Sequence, residues 1–175
     1  MPERAVHQVA NRQPQAASAS GHHALRQAFS SFATGVTVVT VCDTLGRPRG
    51  MTANSFTSVS LAPPLILICV ATQAPIWPAF AGAPTFAVNV LAAGQRELSQ
   101  RFARPADDKF AGIGWQHGEL GVPLIDGAAA HLECRRVREI EAGDHMILLG
   151  EVVHFAHSPA PPLVFHRGAY AALAQ

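Results

Sequence analysis

Charge is scarce in this chain. Only 14% of its 175 residues are Asp, Glu, Lys or Arg, and 13 basic against 12 acidic side chains leave a formal net charge of +1. So near a balance forms no basic stripe, which argues against nucleic acid as a partner. Cysteine is sparse as well. Cys42, Cys69 and Cys134 stand far apart and odd in number. That suits buried reduced thiols better than disulfides or zinc, and points to a reducing cytoplasm. Long apolar runs are missing. The longest, Leu65 to Ala71, falls far short of the roughly 20 residues that cross a bilayer, so no membrane partner is expected. The first twenty residues are polar and rich in Ala, Gln and Ser, without the apolar stretch of a secretory signal. They read as a disordered tail over 1–21, ahead of one domain over 22–175.

Several chemical signatures are absent too. There is no G-x-S-x-G and no P-loop. Gly112-x-Gly114-x-x-x-Gly118 misses the dinucleotide fingerprint by spacing and follows no strand. Any dinucleotide would therefore have to bind outside a Rossmann fold. The close histidine pairs, His22-His23 and His154-x-x-His157, lack a third ligand at suitable spacing, so no metal is expected.

What the chain does have is apolar mass. Hydrophobic residues make up 49%, enough for one sizeable core. So little charge on so much surface suggests that a second subunit covers part of it. Leu25, Ala28, Phe29, Phe32 and Ala33 recur on one helical face, with Gly35 as the stop. Val36 to Val41 is β-branched and reads as a strand. Asp43 to Pro48 is a turn, and Arg49 to Phe56 its hairpin partner. The apolar run from Leu65 reads as a buried strand. Ala74 to Gly82 reads as a short helix, Thr85 to Leu91 as a strand, Gln95 to Ala103 as a helix and Asp107 to Gly112 as a helical turn. Gly114 to Asp126 reads as a glycine-rich loop. Two long strands, Ala128 to Glu139 and His145 to Phe155, flank a Gly143-Asp144 turn, and Leu163 to His166 is a last strand. No βαβ alternation appears, so a small antiparallel barrel with a few covering helices fits best.

The most informative segment is Gly50-Met51-Thr52-Ala53-Asn54-Ser55-Phe56-Thr57-Ser58-Val59-Ser60-Leu61-Ala62-Pro63-Pro64. Small side chains let a large planar ligand approach the backbone, and hydroxyls, a carboxamide and free N–H groups can bond its edge. This run resembles the signature of the flavin reductase family. Other blocks match in the family's order: Phe32 to Thr40, Phe86 to Leu91, Leu98 to Ala103 followed by Asp107 to Gly112, Gly143-Asp144-His145, and Phe165 to Tyr170.

The resemblance implies a mainly β fold, an antiparallel split β-barrel of Greek-key type, working as a homodimer. It implies reduction of FMN or FAD by NADH or NADPH, for transient or diffusive delivery to a monooxygenase that hydroxylates an aromatic or similar small molecule. Thr52, Ala53, Asn54, Ser55 and Thr57 would edge the isoalloxazine. Strand alternation points Thr52 and Asn54 one way and Ser55 the other, so one must act through its backbone or the segment must bend. Thr34, Gly35, Val36 and Thr37 would also meet the flavin, although a capped, β-branched strand explains the same residue types. Ser60 and Leu61 would meet the ribityl chain or phosphate. Arg101 and Lys109 are the cations for that phosphate, Lys109 the better; a solvated helix face accounts somewhat better for Arg101. Asn89 and Phe102 complete the flavin set. Asp144 and His145 would sit by the nicotinamide, with His145 steering it. Tyr170, the sole tyrosine, would touch one of the two cofactors or plug the barrel's end. Trp77 and Trp115 read as core or interface. Two alternatives share the fold: an oxidase with tightly held FMN, resembling pyridoxamine-phosphate oxidase, and a non-catalytic flavin- or haem-binding module.

Overall fold

A computed structural model describes residues 19–173. The expected tail lies outside them except at its end, where helix α1 (Ala19–Ser30) already begins. Strands β1 (Thr34–Gly35), β2 (Thr37–Cys42), β3 (Pro48–Ala53), β4 (Thr57–Leu61) and β5 (Pro64–Ala71) follow. Helix α2 (Trp77–Gly82), β6 (Thr85–Val90) and, after a 3-10 turn, helix α3 (Arg96–Ala103) come next. The chain ends with β7 (Trp115–His117), β8 (Pro123–Ile125), β9 (Ala130–Ala142), β10 (His145–His157), β11 (Val164–His166) and β12 (Ala169–Ala171).

Seven strands form one antiparallel sheet in the order β3-β2-β6-β9-β10-β5-β4. Its two edge strands, β3 and β4, are neighbours in sequence, with only residues 54–56 between them. Seven flat strands at about 4.8 Å spacing would set the edges roughly 29 Å apart. Four peptide steps reach at most about 14 Å. The sheet must therefore curl until its edges nearly meet. The Ser55 hydroxyl helps hold this seam, accepting from the Cys69 N–H at 3.0 Å and donating to the Cys69 carbonyl at 3.1 Å.

The curl encloses Val39, Val41, Ile66, Ile68, Val70, Phe86, Val88 and Leu148, with Phe80 of α2 closing one end. The other face of β2 is covered as well. Val38, Phe102 of α3, Phe110, Ile125 and Leu163 make a second apolar cluster. Both faces of β2 are buried, which is why its sequence is β-branched without polar alternation. Gly50 makes the α3 contact possible, since a Cβ there would lie 2.8 Å from the Phe102 ring.

Three expectations need correction. The α1 helix stops at Ser30 rather than running to Gly35, because Thr34 and Gly35 pair with β11. Its apolar face is not packed: Phe29 is 68% and Phe32 77% exposed. Residues 107–112 are not helical. Asp108 Oδ1 accepts the N–H groups of Phe110 and Ala111 at 2.9 and 3.1 Å, and such local bonds compete with a helix. The stretch 114–126 is not a loop but the β7–β8 hairpin. Its turn is held by the buried Glu133 carboxylate, which accepts from the Leu120 and Glu119 N–H groups at 2.8 and 3.2 Å. The three cysteines are free. Burial, then the nearby Glu133 charge, pushes the Cys134 thiol up to about 12.

Candidate functional site

An edge strand leaves half of its peptide groups without a strand partner. Beside β3 those groups face a cleft of about 960 Å³. Its floor is β3 from Pro48 to Thr52. One wall is Phe102 and the loop from Ala103 to Phe110; the other is the lead-in and first turn of α2, from Ala74 to Ala79. Its mouth carries Arg47, Arg49 and Arg104 against Asp43 and Asp107.

These charges are organised by the β2–β3 turn. Asp43 Oδ1 accepts the Leu45 and Arg47 N–H groups, while Oδ2 takes the Arg47 and Arg49 guanidinium N–H groups at 2.9 and 3.1 Å. Desolvation alone would raise this carboxyl, but those donors outweigh it and bring it down to about 2. Asp43 thus spends its charge on Arg47 and Arg49, whereas Arg104 has no ion pair among the described residues.

Lys109 lies deeper. Its ammonium donates to the Phe102 carbonyl at 2.9 Å and the Gly50 carbonyl at 3.3 Å. Desolvation lowers its pKa. Two of its three N–H donors are thereby spent, and one is left for the cleft. Thr52, half-buried on the floor, donates to the Ser99 carbonyl at 2.6 Å.

The cleft therefore brings together Thr52, Phe102 and Lys109. Next to it Ala53 is buried and Asn54 exposed. The chain bends at Asn54, where β3 ends. Ser55 turns its hydroxyl to the seam, leaving its backbone for any ligand. Thr57, Ser60 and Leu61 follow on β4, an exposed edge on which Leu61 is 93% exposed. Arg101 is off the cleft, donating to the Ala111 carbonyl at 2.7 Å.

Other expected residues lie elsewhere. Thr37 is buried and donates to the Ala53 carbonyl at 2.8 Å. Val36 is in the core and Gly35 is exposed. Thr34 Oγ1 is enclosed without a hydrogen-bond partner among the described residues. Asn89 is fully buried. Its amide donates to the Val38 carbonyl and Thr40 hydroxyl at 3.0 and 3.1 Å, and its oxygen accepts the Ile125 N–H at 2.8 Å. Strand alternation alone could not distinguish this interior role from a ligand contact.

Asp144 and His145 sit at the β9–β10 turn, His145 Nδ1 lying 2.7 Å from Asp144 Oδ1. The hydrogen bond from His145, and then its charge, lowers the Asp144 pKa. The Asp144 carbonyl also accepts from the Thr72 N–H at 3.0 Å, which ties this turn to the segment leading into the cleft wall. Tyr170 meets the Ser99 hydroxyl at 2.8 Å. Trp77 and Trp115 pack against the two cores. Sequence reasoning missed Ser99 and the Asp43–Arg47–Arg49 cluster. The second had a signal, three charges within seven residues of a charge-poor chain.

Residues 29–174 match the flavin reductase like domain family. A probable flavin reductase of Rhizobium meliloti is 49% identical over 147 residues, 84% of this chain and 47% of the relative. An NADH-dependent FAD reductase of Streptomyces globisporus is 53% identical over 141 residues, 78% of this chain and 76% of the relative. The chain thus spans about half the length of the first relative and about three quarters of the second. Among solved structures, the Streptomyces globisporus NADH:FAD oxidoreductase SgcE6, in complex with NAD and FAD fragments, aligns with a TM-score of 0.84 at 48% identity, covering 90% of this chain and 95% of that one. A match running from the end of α1 past β12, on a curled antiparallel sheet with a cleft along its open edge, means that the chain belongs to the flavin reductase like domain family.

Proposed function

We propose that this chain is an NAD(P)H:flavin oxidoreductase that reduces FMN or FAD with NADH or NADPH and passes the reduced flavin to a partner monooxygenase. The observation that carries the reading is the cleft beside β3, where an unpaired strand edge, the small residue Gly50, the Thr52 floor and one spare N–H of a half-buried ammonium converge. That donor set suits a flat heteroaromatic ring bearing an anionic tail. The names of the relatives, an NADH-dependent FAD reductase among them, point the same way.

When bound, the nicotinamide supplies a hydride that the flavin ring takes up, so the chemistry itself requires no protein nucleophile. The protein's task is placement: two rings stacked with the reacting atoms about 3–3.5 Å apart. In this reading Thr52, Ala53, Asn54, Ser55 and Thr57 edge the ring, Ser55 through its backbone. Phe102 forms the apolar wall. Lys109 holds the phosphate with its third N–H, while Arg101 stays outside. Ser60 and Leu61 lie along the tail. Thr34 and Gly35, paired with β11, support the hairpin that carries Tyr170, while Val36, Thr37 and Asn89 fix the strands beneath the ring. His145, oriented by Asp144, positions the nicotinamide, and Tyr170 backs one of the two ligands.

A homodimer belongs to the reading. Val59 and Leu61 on β4 and Phe155 on β10 are 49%, 93% and 75% exposed, which suits burial against a second copy and closure of a split barrel. In this reading the chain works in a reducing cytoplasm, which the unpaired thiols favour, and its partners are flavin, nicotinamide and a monooxygenase. The test is steady-state loss of NADH and NADPH absorbance with FMN and with FAD, in all four combinations. At least one should turn over; no catalysed loss in any would end the proposal.

A further inference from the structure

Helix α3 faces two ways. Arg96, Ser99 and Phe102 repeat every three residues and share one side of it. Phe102 meets Gly50 on the cleft floor. Ser99, 1% exposed, has its carbonyl and its hydroxyl both engaged. Its carbonyl accepts from the Thr52 hydroxyl at 2.6 Å, and its hydroxyl pairs with the Tyr170 hydroxyl at 2.8 Å. The Arg96 guanidinium lies 5.2 Å from the centre of the Tyr170 ring, and Phe165 packs edge-on against that ring at 5.3 Å. A buried serine with both groups committed has little freedom to shift. It joins the cleft floor to the β11–β12 hairpin, 71 residues further along the chain.

From this geometry we infer that Ser99 is a positioning residue, which fixes Tyr170 relative to the flavin cleft and so sets the separation of the two ligand subsites. The inference rests on the reading that Tyr170 backs one ligand while Thr52 edges the other. Ser99 touches neither ligand and acts through its neighbours.

The test uses the full chain with S99A, Y170F and the double variant. Tyr170 is the sole tyrosine, so the tyrosine Raman doublet of the ligand-free protein reports this hydroxyl alone. It should change in S99A; an unchanged doublet overturns the bond. Each single variant should raise the Michaelis constant of one ligand about three- to tenfold, the worth of one hydrogen bond, and S99A should do so with turnover within twofold of wild type. The double variant should lose no more than either single one, because both remove the same link. Additive losses, or unchanged Michaelis constants, overturn the inference. Should S99A fail to fold, Y170F keeps the ring packing and carries the same expectation. Wild-type protein that turns over no flavin sinks the functional reading and with it the positioning role, whereas an active wild type with an unchanged doublet sinks the positioning role alone.

Discussion

Replacing Lys109 by Ala isolates the part of the cleft assigned to the flavin's anionic tail. In wild type the ammonium is pinned to the Phe102 and Gly50 carbonyls at 2.9 and 3.3 Å, with its third donor free. A charge-assisted hydrogen bond is worth about 1.5–3 kcal/mol. Because this group is only half-buried, solvent screening favours the lower end, about 1.5–2 kcal/mol. The Michaelis constants of FMN and FAD should therefore rise about ten- to thirtyfold, with turnover little changed. Riboflavin, which has no phosphate, is the control: K109A should treat it as wild type does. Both freed carbonyls border the open cleft and can bond water, so the fold should lose no more than about 1 kcal/mol. The pH dependence carries a sign. Desolvation lowers the Lys109 pKa from 10.5. The ammonium is thus present at neutral pH and is lost as the pH climbs through that lowered value, earlier than an exposed lysine would titrate. Phosphate-dependent affinity should fade over the same range. Equal losses for riboflavin and FMN would refute the reasoning, since the lysine would then be supporting the wall and not the phosphate.

Other expectations follow from the packing and charges. In G150A the new Cβ would lie 2.5 Å from the Phe86 ring and 2.9 Å from Cys134 Cβ; overpacking of about 1–3 kcal/mol should lower the thermal midpoint by several degrees. In H145A the Asp144 carboxyl should titrate closer to the ordinary 3.8, read by carboxylate NMR, because the His145 bond is the main cause of its lowered pKa. The stability gained from that lowering is complete above 3.8 and fades as the pH falls through the lowered value, so H145A should lose this acid-limb dependence. Native protein should keep Cys134 unalkylated at pH 8, since its thiol is buried and titrates at about 12; labelling before unfolding would show that the core opens.

Local patterns in the chain carried much of this architecture. β-branched residues marked β2, Gly143 marked the β9–β10 turn, and the small, hydroxyl-bearing run after Gly50 stood out as a ligand edge, though not as the seam between β3 and β4. What stayed illegible depends on contacts far apart in sequence. Asn89 belongs to the core because Val38 and Ile125 come to lie beside it, which strand order alone decides. Ser99 looks like any helix serine until Tyr170 and Thr52 arrive from opposite directions. The β7–β8 hairpin escaped notice because Trp115–His117 and Pro123–Ile125 are three-residue strands, too short to show a period.

The three residues that join the sheet's two margins have a consequence for how such a chain can vary. An extra residue there would do more than lengthen a surface excursion. It would relax the tension that rounds the whole sheet, and the pocket along β3 would change shape with it. Insertions at the exposed residues 44–46, or within 103–107, leave that join untouched, because both stretches lie on the surface at the pocket's mouth. Length differences among chains of this kind should therefore collect at the mouth of the pocket and spare the hinge that gives it its curvature.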